Sequence, residues 1–214
     1  MKPVRLMIFD LDGTLVTSGD DLARAINHTL EALEKPVLSP EKIMSFVGDG
    51  VETLVRRSLG VGLPGHFDKA LEIFSAYYAE HILDATNLYP GVEEVLQHFP
   101  DQHKVIITNK RILFTRRITD ELNITRYFDD IIGADSTPYI KPDARLLLPL
   151  LDTFGAAREE TVVIGDGVND ILLARNTGTI SCALLQGLCS GRILRDLEPD
   201  FACDDIRDVM GIFC

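Results

Sequence analysis

Val4-Arg5-Leu6-Met7-Ile8-Phe9-Asp10-Leu11-Asp12-Gly13-Thr14 opens the chain with an apolar run that stops at two carboxylates separated by one residue. The run reads as a buried strand, and the Asp-Gly pair as the turn that ends it. In an open α/β sheet, reactive side chains gather at strand ends, because the sheet fixes the backbone while the loops leave side chains free to meet a ligand. Asp10 and Asp12 can then face one pocket, and Gly13 permits the sharp turn that follows. Asp12-Gly13 alone is also an ordinary turn signal. Three later segments repeat the layout: Ile107-Thr108-Asn109-Lys110 follows a second apolar strand, Lys141-Pro142 sits in a loop, and Gly165-Asp166-Gly167-Val168-Asn169-Asp170 follows a third strand.

Between Thr14 and Leu88 the strand-like signals give way to helical periodicity. Ser18-Gly19-Asp20 precedes a stripe of Leu22, Ala25, Ile26, Thr29, Leu30 and Leu33, which predicts a helix with a capping residue in front and Pro36 behind. Ser39-Pro40-Glu41 opens a second helix through Phe46, Gly48-Asp49-Gly50 interrupts, and Val51 to Leu59 form a third. A fourth follows Pro64-Gly65, with Phe67, Leu71, Phe74, Tyr77 and Tyr78 as its buried face. From Leu88-Tyr89-Pro90-Gly91 onward, helical segments alternate with short apolar runs at 105–108, 130–133, 162–165 and 180–184, and 201–203 adds an edge strand. The expected fold is α/β, a doubly wound parallel sheet of residues 1–15 and 87–214 with an all-helical cap, residues 16–86, inserted after the first strand.

The four segments, in this order, resemble the four motifs of the haloacid dehalogenase superfamily of phosphoryl-transfer enzymes, and within it the phosphoglycolate phosphatase group. The resemblance implies a Rossmann-like core with the cap behind the first motif. It implies a Mg²⁺-dependent phosphatase that hydrolyses a small phosphorylated metabolite, 2-phosphoglycolate foremost, through an aspartyl phosphate. On the same ground Asp10 is the nucleophile, Asp12 the general acid and then base, and Lys141 the partner of the phosphoryl oxygens and of Asp10. Asp10, the Asp12 carbonyl, Asp166 and Asp170 are the implied metal ligands. Gly167 stands where that group usually has a hydroxyl residue, although other phosphatases of the superfamily share the Gly-Asp-Gly start. A sugar-phosphate phosphomutase of the β-phosphoglucomutase kind and a pyrophosphatase use the same motifs. A regulatory homologue without activity is a more distant alternative, and the presence of Asp10, Asp12, Thr108, Lys141, Asp166 and Asp170 together argues against it.

Elementary chemistry fits these roles. Phosphoryl transfer needs an in-line nucleophile, charge neutralisation around the equatorial oxygens, and a proton donor for the leaving oxygen. Thr108 and Asn109, at a strand end leading into a helix, offer a hydroxyl, an amide and helix N–H groups to a phosphate, with the Gly13 backbone opposite; the pair also fits a helix N-cap. Asp166 and Asp170 are hard oxygen donors suited to Mg²⁺, Asp166 directly and Asp170 directly or through water. In the cap, Gly48-Asp49-Gly50 precedes a helix carrying Arg56 and Arg57, a placement suited to an anionic leaving group, with surface ion pairs as the other reading of the arginines. Lys110, Arg111, Arg116 and Arg117 read as a solvated helix face. His28, His66, His81, His98 and His103 show no ligand spacing.

A chain of 214 residues holds one α/β domain with a small insertion, and 46% hydrophobic with 25% charged residues is a globular composition. A net charge of -12 disfavours nucleic acid and anionic membranes as partners. A small phosphorylated substrate remains compatible, because local cations and a metal invert the field inside one cleft. Cys182, Cys189, Cys203 and Cys214 lack metal-binding spacing and read as reduced thiols, Cys214 as an exposed one. With no signal peptide or long apolar span in evidence, the expectation is a cytoplasmic protein, monomeric or homodimeric.

Overall fold

A strand of four consecutive apolar residues requires cover on both faces, and Leu6–Phe9 (β1), fully buried, lies inside a six-stranded parallel sheet. The protein is described by a computed structural model for residues 1–60 and 64–214, so residues 61–63 of the expected cap lie outside the described residues. Four helices follow β1: Gly19–Ala32 (α1), Pro40–Met44 (α2), Val51–Leu59 (α3) and Phe67–His81 (α4). Helix and strand then alternate through Val92–His98 (α5), His103–Ile107 (β2), Ile112–Glu121 (α6), Asp130–Ile132 (β3), Leu148–Phe154 (α7), Thr161–Gly165 (β4) and Val168–Thr177 (α8). Ile180–Leu184 (β5), Gly191–Asp196 (α9), Phe201–Cys203 (β6) and Val209–Ile212 (α10) complete the chain.

The strand order is β3-β2-β1-β4-β5-β6. The chain winds outward from β1 on one side and from β4 on the other, so the crevice of this doubly wound sheet opens at the carboxyl ends of those two neighbours. Register pairs Phe9 with Ile106 on one side and Ile164 on the other, which brings the residues after Phe9 and after Ile164 to one place. Side chains alternate across the sheet. Leu6 and Ile8 pack with Val105, Ile107, Val163, Leu150 and Leu173 on one face. Met7 and Phe9 face Ile106, Ile164, Leu96 and Ile118 on the other, in an apolar cluster that continues into the inserted helices through Leu22, Ile26, Leu54, Phe74 and Tyr78.

The helical insertion joins the core by two crossings laced together. Asp21, 1% exposed in the first turn of α1, accepts hydrogen bonds from the backbone N–H of Ala85 at 3.0 Å and of Thr86 at 2.9 Å, and from the Thr86 hydroxyl at 2.7 Å. Thr17 N donates to Asn87 O at 2.8 Å, and Val16 bridges Leu88. The Cys182 and Cys203 sulfurs lie 3.7 Å apart as buried free thiols within hydrogen-bond distance, and Cys214 is an exposed thiol. Among the described residues no helix is long and apolar enough to cross a membrane.

Asp21→Asn turns an acceptor of three donors into a group that presents its own N–H to them. The variant is expected to lose about 1–3 kcal/mol of unfolding free energy in urea titration with an unchanged m value. A loss below about 0.5 kcal/mol would show that the crossings are held by other contacts.

Candidate active site

Asp10 still belongs to the ladder through its N–H, which donates to Ile164 O at 3.0 Å, while its carboxylate projects beyond the sheet. One oxygen accepts from Leu11 N at 2.7 Å and lies 2.8 Å from Lys141 Nζ. Lys141, 3% exposed, also reaches Asp170 Oδ1 at 2.6 Å. Asp170 sits in the first turn of α8, where its other oxygen accepts from Gly167 N at 2.9 Å and the helix dipole favours negative charge. Asp166, just past β4, accepts from the Thr14 hydroxyl at 2.9 Å and from Leu188 N at 2.7 Å. Gly13 makes room for it: at φ +84° a Cβ here would meet Asp166 Oδ2 at 2.1 Å.

Asp10, Asp166 and Asp170 offer oxygens within 4.8 Å of one another. Burial first, then the charges of Asp10 and Asp170, push the Asp166 pKa up to about 8. Asp170 is raised to about 6, by burial and Asp10, against the Lys141 ammonium. Burial works against the charge on Lys141, but Asp10 and then Asp170 outweigh it and hold the ammonium above its ordinary range. Three acid groups thus share one ammonium in a buried site, and a divalent cation, which would favour their ionised form, fits these hard oxygen donors.

The Asp12 carboxylate lies apart from this cluster. It accepts from the Ser18 hydroxyl at 2.5 Å and from Lys110 Nζ at 2.9 and 3.1 Å. Ser18 therefore spends its hydroxyl on Asp12 and makes no side-chain cap on α1. Lys110, read from the sequence as solvated, is 9% exposed and also donates to the Tyr78 hydroxyl at 2.7 Å. Arg111 pairs with Glu52 and Arg117 donates to Ala79 O, both reaching the insertion, which leaves Arg116 on the exposed face.

Thr108 is buried at the end of β2. Asn109 lines the cavity beside it and ties two loops together: its amide donates to Gly48 O at 2.9 Å and Lys141 O at 3.1 Å, and its Oδ1 accepts from Lys141 N at 2.9 Å. Helix α6 starts only at Ile112, whose N–H is taken by Asp135 at 2.7 Å, so the helix N-terminus is set back from Thr108. Gly48 and Gly50 line the cavity shared with Asp10, Asp12, Thr108 and Lys110, whose remaining walls include Leu54, Phe74 and Phe114. Asp49 pairs with Arg57 at 2.7 Å and accepts from Asn169 at 2.7 Å. Arg56 is not brought to the site, because its guanidinium lies 4.3 Å from the Phe67 ring centroid on the exposed side of the insertion.

The family model described as haloacid dehalogenase-like hydrolase matches residues 7–184. The chain belongs to this family. It is 33% identical over 220 residues to a phosphoglycolate phosphatase of Vibrio parahaemolyticus, covering 99% of this chain and 96% of that protein. It is 36% identical over 216 residues to phosphoglycolate phosphatase 1 of Pseudomonas aeruginosa, covering 96% and 78%. A crystal structure of a predicted phosphoglycolate phosphatase from Haemophilus somnus superimposes with a TM-score of 0.92 at 29% identity, covering 98% of this chain and 97% of that one.

The residues that sequence reasoning passed over in this family member are Ser18, Tyr78, Lys110 and Asn169. Each meets its partner across at least six residues of chain and most across far more, so no local pattern marks them. Only the position of Lys110 beside Thr108-Asn109 and of Asn169 beside Asp170 was available as a signal.

A folded pKa near 8 for Asp166 means that the folded chain holds a proton the unfolded chain has released above its ordinary value of 3.8. Its contribution to stability is therefore lost as pH rises toward 8. In chelator, the thermal midpoint is expected to fall between about pH 5 and pH 8, and Asp166→Asn is expected to flatten that slope. An equal slope in the variant would place its origin outside the cluster.

Proposed function

We propose that this hydrolase is a Mg²⁺-dependent phosphatase acting on a small phosphorylated metabolite, 2-phosphoglycolate foremost, through an aspartyl phosphate on Asp10. Its phosphoric monoester hydrolase class follows from the family and from relatives matched along at least 96% of this chain. The observation that carries the mechanism is the convergence of Asp10, Asp166 and Asp170 with Lys141 bridging the first and last.

Asp10 is fixed by Leu11 N and Lys141 on one oxygen, which leaves the other to attack phosphorus. Lys141 and the Thr108 hydroxyl hold the transferring oxygens, and the Gly13 turn brings backbone close on the other side. Asp12, one residue pair further along the same turn, delivers the proton to the leaving oxygen and takes one from the water that hydrolyses the acyl phosphate. A Mg²⁺ ion held by Asp10, the Asp12 carbonyl and Asp166, with Asp170 behind, would neutralise phosphoryl charge and shield the nucleophile from it. Gly48, Gly50 and the start of α3 border the leaving-group side, where the insertion excludes water. The names of the similar proteins support 2-phosphoglycolate as the substrate. We place Arg57, through Asp49, among the groups that hold this loop, and Arg56 outside it.

Asp10→Asn is expected to lower turnover on 2-phosphoglycolate by at least about a thousandfold, with a near-parental thermal midpoint, because the amide is isosteric but forms no acyl phosphate. Substantial activity in that variant would contradict the covalent route. Exhaustive chelation is expected to stop phosphate release, Mg²⁺ to restore it, and Ca²⁺ not to, because the larger ion takes a looser and higher coordination shell. Full activity in chelator would remove the metal from the reaction.

A further inference from the structure

Lys110 carries the most completely used ammonium outside the acid cluster. Its three protons are directed at Asp12 Oδ1 at 2.9 Å, Asp12 Oδ2 at 3.1 Å and the Tyr78 hydroxyl at 2.7 Å. The ammonium also lies 4.7 Å from the Tyr78 ring centroid. Tyr78, 1% exposed on α4, is itself fixed, stacked on Phe74 at 5.4 Å and edge-on to Phe114 at 5.2 Å. With the Ser18 hydroxyl at 2.5 Å, the Asp12 carboxylate has donors on both oxygens. A lysine is rarely buried to this degree, and burial of its charge is tolerated only where partners satisfy it. Here one partner is the carboxylate read as the proton carrier and the other belongs to the inserted helices.

We propose that Lys110 and Tyr78 are positioning residues for Asp12: the Tyr78 hydroxyl orients the Lys110 ammonium, and the ammonium aims the Asp12 carboxylate at the leaving oxygen. The line of contacts runs from α4 through the loop after β2 to the turn after β1. Asp12 is therefore aimed only while α4 is seated on the core, and proton delivery is tied to closure of the site. The proposal rests on the reading of Asp12 as the proton donor.

The experiment compares kcat/KM, which reports the first phosphoryl transfer, on p-nitrophenyl phosphate, ethyl phosphate and 2-phosphoglycolate in the presence of Mg²⁺. The variants are Asp12→Asn, Lys110→Met and Tyr78→Phe. The aryl leaving group departs with little proton assistance, whereas both alkyl groups need it. Lys110→Met is expected to lower kcat/KM on both alkyl phosphates by roughly thirtyfold or more, and on the aryl phosphate by about threefold or less. Tyr78→Phe, which keeps the ring and removes one acceptor, is expected to show the same bias at smaller size, about threefold to tenfold. Equal losses on all three substrates in Lys110→Met would mean that the lysine only supports the fold and would overturn the proposal. A loss confined to 2-phosphoglycolate would make Lys110 a reader of the substrate carboxylate and overturn it as well. An unbiased Tyr78→Phe would remove the tyrosine from the line. Asp12→Asn separates the two levels: if that variant shows no leaving-group bias, the proton-donor reading itself is wrong, whatever the lysine does.

Discussion

Asp10, Asp166, Asp170 and Lys141 are confined at the tip of two adjacent strands, and the repulsion among the three carboxylates is the constraint to which the surrounding chain is fitted. Such groups left to themselves would separate into water. They are kept together because parallel register fixes the ends of β1 and β4 side by side and because backbone N–H groups of Leu11, Gly167 and Leu188 are spent on their oxygens. Lys141 supplies the one positive charge inside, brought in by a loop that Asn109 pins through both its backbone N–H and its carbonyl. The apolar continuity of the sheet holds this arrangement: each strand entering the tip is buried, so separating the acids would mean breaking the core.

Seating of the inserted helices uses the same loops that hold the site. Three consecutive residues after β2 each reach across: Asn109 to Gly48 O, Lys110 to the Tyr78 hydroxyl and Arg111 to Glu52. Asn169, beside Asp170, adds contacts to Gly48 O at 3.1 Å and to Asp49. Polar groups on this seam are thus neighbours in sequence of Thr108 and Asp170, which belong to the candidate site. The seam is closed from outside by the salt bridge of Arg57 with Asp49, a half-exposed pair that adds little stability by itself. The seam covers Asp10 and Asp12, whose side chains are only 15% and 14% exposed, and electrostatic interactions there are stronger than in bulk water.

The strands were legible because parallel strands in a doubly wound sheet are short, apolar and bounded by turns: 180–184 coincides with β5, 201–203 with the edge strand β6, and the others differ by one or two residues at their ends. The acid cluster was legible because Asp10 and Asp166 stand directly after such ends and Asp170 opens the helix that follows. Lys110 was not, since a lysine followed by an arginine at a helix start has every local mark of solvent exposure, and its burial is decided by Tyr78, thirty-two residues earlier. The loop contacts of Asn109 were not legible for a related reason: its amide ties together two loops that the sequence does not place side by side. The arginines of α3 illustrate a geometric limit. Adjacent residues on a helix point about 100° apart, so Arg56 and Arg57 cannot both enter one cleft, and the structure turns Arg56 to Phe67.

That limit bears on how a leaving group is distinguished. The cations that border the closed site already have carboxylate partners: Lys141 has Asp10 and Asp170, Lys110 has Asp12, Arg111 has Glu52 and Arg57 has Asp49. An anionic leaving group would have to share one of these pairs, at the cost of weakening a contact that holds the insertion down. The backbone at Gly50 is differently placed. Gly50 stands before α3 at φ +85° and lines the cavity, and no side chain caps the start of that helix. Neutral N–H donors at a helix start attract an anion without requiring a paired cation to be released. A leaving group bound on this side would therefore meet the apolar walls and the Gly48–Gly50 loop, which the amides of Asn109 and Asn169 both hold through Gly48 O.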